Sequence, residues 1–174
     1  FPGPASGSVC ATAAAMACAL VEMSCKASIK KTPENKLLID ASQKMKELKA
    51  HCLDLADDDM NAFGEVIKGT RKKKESPDQY EAILQKATDP LVAILESCEV
   101  ILMEIEKVQK ESYTKVLGDL AGAVYLSEGA ATAVKKGIEV NLTYLSDIAY
   151  KERIRENIEK TYDNCSKLKN QVMN

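Results

Sequence analysis

From Val9 to Ala27 the chain is apolar or small at nearly every position, with Thr12, Glu22 and Lys26 the main interruptions of an Ala-rich run. A helix that is apolar on all faces belongs in the middle of a bundle, where short side chains let its neighbours come close. The next pattern is amphipathic. Leu37, Ala41, Met45, Leu48, Cys52, Leu55, Phe63 and Val66 recur at helical steps and predict one helix from Pro33 to about Lys68, with Thr32 as N-cap and Pro33 in the first turn. The step from Leu55 to Phe63 passes over position 59, where the stripe calls for an apolar residue and the chain carries Asp59.

Punctuation divides the rest. Phe1 to Ser8 is a Pro- and Gly-containing lead-in whose Ser8 is placed to cap the first helix. Gly69 to Glu75, with the basic run Arg71–Lys74, reads as a solvated loop, and Ser76-Pro77-Asp78 opens the next helix. Asp89-Pro90 is expected to break or restart it, because the residue before a proline resists the α region. Leu91, Leu95, Cys98, Leu102, Ile105 and Val108 then form a new stripe, and Leu117 to Leu145 is a second broadly apolar stretch. Ser146-Asp147 caps a last helix striped by Ile154, Ile158, Cys165, Leu168 and Val172. The pattern predicts a single all-α domain spanning residues 1–174, an up-and-down bundle of five or six helices with two apolar central helices. The amphipathic helices of so short a chain hardly cover two such helices, which predicts a homo-oligomer.

Composition narrows the chemistry. With 174 residues, 24 basic against 26 acidic side chains and a net charge of −2, the chain lacks the field that binds a phosphate backbone, so nucleic acid is not an expected partner. His51 is the only histidine, which excludes metal sites built from several imidazoles and leaves a hydrolytic triad no alternative base. Six cysteines without a C-x-x-C pair read as free thiols, and Cys10, Cys18 and Cys25 share one helical face as small core residues; a reducing, cytoplasmic setting follows. The stretch Val9–Val21 falls short of a membrane span and has no basic residue before Lys26, so neither a membrane nor a signal segment is expected.

Asp59 is the sharpest candidate for chemistry, since a carboxylate in an apolar stripe faces desolvation and needs partners. Asp57 and Asp58 point elsewhere around the helix and read as surface charges. Asp119 stands at the entry of the second apolar helix, and Asn141 is a polar group further along it. Gly7 and Ser8 lead into a central helix whose free N–H groups can bind an anion.

These residues together resemble the formiminotetrahydrofolate cyclodeaminase and methenyltetrahydrofolate cyclohydrolase family, over most of the chain from Pro2 to about Leu145. The resemblance rests on Pro4, Gly7 and Ser8 before the Ala-rich helix; on Leu55, Asp57, Asp59, Ala62 and Phe63; on Asp119; and on Asn141-Leu142. Ala5 and Ser6 stand where the family has glycines, Ser112, Tyr113 and Gly118 replace its Gly, Asn and Ser, and Ser28-Ile29-Lys30-Lys31 keeps the lysines of its Gly-Lys-Lys. The resemblance implies an all-helical homodimer, with a helix before Phe1 that this sequence does not carry. It implies a tetrahydrofolate derivative as substrate, with no permanently bound cofactor and no metal. By the same resemblance Asp59 and Asp119 are the acid–base pair, while Gly7, Ser8, Asn141, Lys30 and Lys31 bind substrate, the lysines attracting the glutamate tail. The replaced glycines support a rival reading, a noncatalytic bundle that binds a ligand or a partner.

Overall fold

The computed structural model describes residues 5–70, 73 and 75–174; the lead-in Phe1–Pro4 and the residues Arg71, Lys72 and Lys74 of the basic run lie outside the described residues. Among the described residues five long helices follow one another: α1 (Ser6–Ile29), α2 (Lys36–Gly69), α3 (Pro77–Val108), α4 (Leu117–Thr143) and α5 (Ile148–Met173), with a 3-10 turn at Thr114–Val116 leading into α4. Among the described residues there is no strand.

Cross-links along the helices fix their directions. Ser8 meets Asp59 and Glu22 meets Lys49, so α1 and α2 are antiparallel. Lys44 meets Glu104 from α2 to α3, and Lys135 meets Glu159 from α4 to α5. The chain runs up and down, as the periodicity predicts.

The two apolar helices lie inside. Ala11, Ala14, Ala17, Cys18, Val21 and Cys25 of α1 are fully buried, and α1 packs against α2, α3 and α4. Helix α4 fills the other half of the core with Ala123, Val124, Ala131, Val134 and Ile138. Polar residues survive at this depth by bonding to their own helix: Thr88 donates to the Leu84 carbonyl, Ser127 to Ala123 and Ser28 to Ser24. All six cysteines are free and buried, and burial pushes the Cys25 thiol up to about 11 and the Cys165 thiol up to about 12.

Four expectations change. Helix α1 is 24 residues long, beginning before Val9 and ending after Ala27, so by length and composition it could cross a membrane; 61% of its most apolar stretch is buried inside the bundle. Asn35, not Thr32, caps α2, its side chain accepting from Leu38 N–H; the start is three residues later than Pro33 suggests, and Leu38 rather than Leu37 is buried. Ser8 does not cap α1, whose N-cap is Ala5. Helix α3 runs unbroken through Pro90. Leu84, Leu91, Ile94 and Leu95 bury one face across that point, and the burial of four such side chains, about 1.5–3 kcal/mol each, outweighs the roughly 3 kcal/mol a helical proline costs.

Candidate active site

Gly7 and Ser8 begin α1, and Asp59 comes to them from the middle of α2. Asp59 is 5% exposed. Its Oδ2 accepts from Ser8 N–H at 2.7 Å and from Ser8 Oγ at 2.8 Å. A carboxylate 51 residues away in sequence therefore does the work of an N-cap for α1, placing negative charge against the positive end of the helix. Its field reaches the core: after burial itself, the Asp59 charge is what raises the thiol of Cys10.

Gly7 makes this contact possible. A Cβ at position 7 would overlap Asp59 Oδ1 and come within 2.5 Å of Leu91 Cδ2. The helix start, the acid and α3 meet at a point that only a residue without a side chain can occupy.

Asp59 opens on a cavity of about 700 Å³ at this end of the bundle, reached between α1, α2, α3 and α4. Its walls are mostly apolar, from Phe63, Val66, Leu84, Leu91 and Val140. Asn141 and Tyr144 line it from the end of α4, Tyr80 from the start of α3, and Lys136 and Lys73 add positive charge. Lys136 is mostly exposed and holds Glu139 at 2.8 Å, a bond that raises its ammonium above the ordinary lysine value. Such a chamber, apolar with a few polar groups and one buried carboxylate, has the lining of a small-molecule site.

The structure brings Gly7, Asp59 and Asn141 to one cavity, with Ser8 directly behind Asp59. It does not bring Asp119, Lys30 or Lys31 there. Asp119 opens α4 and Asn141 closes it, so about 33 Å of helix separates Asp119 from the cavity end. Lys30 and Lys31 follow the last turn of α1, about 35 Å from Gly7, where Lys31 lies over the Tyr113 ring at 5.6 Å. Within one chain Asp59 is therefore not paired with Asp119, and Lys30 and Lys31 do not line this cavity: antiparallel packing puts them at the opposite end of the bundle. Among the described residues the cations that do line the cavity are Lys73 and Lys136. Lys136 had a sequence signal, as one of two lysines interrupting an otherwise apolar helix; Lys73 lay in a run that reads as loop.

Fold and site together define a class: an all-helical bundle whose central helix N-terminus, capped in trans-helical fashion by a buried aspartate, opens on a ligand-sized chamber. The sequence profile of the formiminotransferase-cyclodeaminase family matches residues 1–160, and the chain belongs to that family. The fold is that of the crystal structure of formiminotetrahydrofolate cyclodeaminase from Thermotoga maritima, with a TM-score of 0.92 and 24% identity over 99% of this chain and 87% of that one. No individual curated protein sequence matches.

Proposed function

We propose that the chamber binds a reduced folate carrying a one-carbon unit and that the chain is a formiminotetrahydrofolate cyclodeaminase. Family membership supports the substrate class, and one structural observation carries the chemistry: Asp59 is an almost fully buried carboxylate with one oxygen committed to Ser8 and the whole group on the cavity wall.

In this reaction the N10 lone pair of 5-formiminotetrahydrofolate attacks the formimino carbon and gives a tetrahedral centre bridging N5 and N10. N10 gives up its proton, the former imino nitrogen gains protons and leaves as ammonia, and the 5,10-methenyl cation remains. Asp59 is suited to take the N10 proton and to stabilise the cationic product, because Ser8 and the α1 N-terminus hold it in place before substrate arrives. Asn141 supplies an amide on the same wall, the apolar side chains take the ring system, and Lys136 and Lys73 attract the carboxylates of the tail. Hydrolysis of the methenyl compound passes through a similar tetrahedral carbon and is the other reaction such a site serves.

The test is incubation with 5-formiminotetrahydrofolate, following methenyl absorbance and ammonia together. Ammonia released in step with methenyl formation supports the proposal. Hydrolysis of added methenyltetrahydrofolate without deamination would replace it with the cyclohydrolase reading, and saturable binding with no turnover would replace it with the noncatalytic one.

A further inference from the structure

Helix α4 ends at Thr143 and α5 begins at Ile148, so Tyr144 to Asp147 make the whole connection between them. Its first residue lines the chamber. Tyr144 is 61% exposed, so packing holds little of its ring, and where the ring stands depends on the backbone that carries it. The Tyr144 N–H turns back to the Asn141 carbonyl, and Leu145 buries the next position. The last carbonyls of a helix lack intrahelical partners, and such an end opens easily unless the chain beyond it is tied down.

One side chain of α3 ties it. Glu81 Oε1 accepts from the N–H groups of both Ser146 and Asp147, each at 2.7 Å. Two consecutive amides converging on one carboxylate oxygen form an anion-binding nest, here at the positive end of α5, and charge-assisted bonds of this length are the strong kind. Weaker ties lie beside it: Tyr150 Oη donates to the Gln85 carbonyl at 3.3 Å, and Lys151 Nζ to the Leu145 carbonyl at 3.2 Å. The Asp147 carboxylate is spent on its own helix, accepting from Tyr150 N–H.

Glu81 follows Tyr80, and Tyr80 and Leu84 of the same stretch of α3 line the chamber. The segment that builds one wall therefore also grips the connection that follows Asn141 and Tyr144 on another. We propose that Glu81 is a positioning residue of this site: by fixing the α4–α5 connection to α3 it sets the Tyr144 ring on the chamber wall, and so governs how tightly a ligand is held. The inference rests on the reading of the chamber as a folate site, in which Tyr144 offers the ring system an aromatic face with a phenol at its tip.

The clasp and the acid are held separately. Asp59 owes its position to Ser8 at the start of α1, and Glu81 makes no bond to either. Loss of the clasp therefore weakens substrate binding and leaves the chemical step as it was.

Hydrogen exchange followed by mass spectrometry comes first and needs no folate. In Glu81→Ala the amides of the connection are expected to exchange about tenfold faster than in wild type, and in Glu81→Gln, which keeps an acceptor oxygen, to change much less. Unchanged exchange in Glu81→Ala overturns the clasp. Kinetics with 5-formiminotetrahydrofolate then test the positioning. Glu81→Ala is expected to raise KM about five- to tenfold with kcat within about twofold of wild type, Glu81→Gln to recover most of the loss, and Tyr144→Ala to reproduce it. Adding Glu81→Ala to Tyr144→Ala should change little, since the one residue acts through the other. Losses that multiply, or a fall confined to kcat, overturn the positioning role. A wild type that neither binds nor converts the folate overturns the proposed function and the ligand half of this inference, while the exchange result still decides the clasp.

Discussion

Replacing Asp59 by Asn keeps the shape of the side chain and removes its charge, so it separates the two tasks the structure gives this residue. Two donors from Ser8 converge on Oδ2. A hydrogen bond to an ionised acceptor contributes about 1.5–3 kcal/mol and a neutral one about 0.5–1.5 kcal/mol, so weakening both removes about 2–3 kcal/mol. The lost attraction to the α1 N-terminus adds up to about 1 kcal/mol, and sparing the buried site a charge returns a similar amount. The expected net loss is about 2 kcal/mol, which for a chain of this length lowers the melting temperature by about 4–8 °C. Urea denaturation of both proteins measures it, with the m-value as a check that the transition stays two-state. In the same samples, deamination of 5-formiminotetrahydrofolate is expected to fall by about 100-fold or more, the scale of a lost general base, while folate affinity changes much less. A stability change below about 0.5 kcal/mol would refute the capping argument; full turnover in a folded Asp59→Asn protein would refute the assignment of Asp59 as the proton acceptor.

Gly7→Ala is expected to destabilise by about 1–3 kcal/mol and to impair ligand binding, because its Cβ meets Asp59 and Leu91; Gly122→Ala, whose Cβ has an ordinary 3.7 Å contact with Leu20, should stabilise by about 0.5–1 kcal/mol, and thermal melts of the pair compare them directly. Glu22 lies buried between Lys26 at 2.5 Å and Lys49 at 2.6 Å, and hydrogen bonds to the two lysines hold its carboxyl below the usual range. A depressed folded-state pKa contributes stability above the unfolded glutamate value and loses it as pH falls through the folded one, so Glu22→Gln should narrow its deficit to wild type as denaturation is repeated from neutral pH down to below pH 4 or so; a deficit independent of pH would contradict the clamp. Lys136→Glu should raise KM for substrates with a glutamate tail by about three- to fivefold, an effect that fades in high salt, with kcat little changed; equal loss with a tail-free pterin would place Lys136 elsewhere in the reaction.

Asp59 was legible in the sequence because a helical stripe makes an intruding carboxylate visible and desolvation gives it consequence. Its partner was not. Ser8 reads as a local cap, yet its N–H and hydroxyl are taken by an acid two helices' turn of chain away, a contact that no rule of short-range spacing contains. The distance of Asp119 from the cavity was hidden for a related reason. Its place at a helix start and its family motif are both sequence properties, but whether that start lies at the cavity or a bundle length away depends on which end of α4 meets the N-terminus of α1. Pro90 shows the limit of local rules in the other direction, since tertiary burial on both sides carries α3 through a residue that resists helix.

The sequence by itself determined the helical class, most of the helices and the two that would be central, because hydrophobic periodicity and small side chains act over a few residues and are written in order along the chain. The tertiary structure alone decided which helix ends share a cavity. Antiparallel packing sends each end to one of two places some 35 Å apart, and that choice, made by the joint burial of all five helices, gathers Gly7, Asp59 and Asn141 at one end and leaves Lys30, Lys31 and Asp119 at the other.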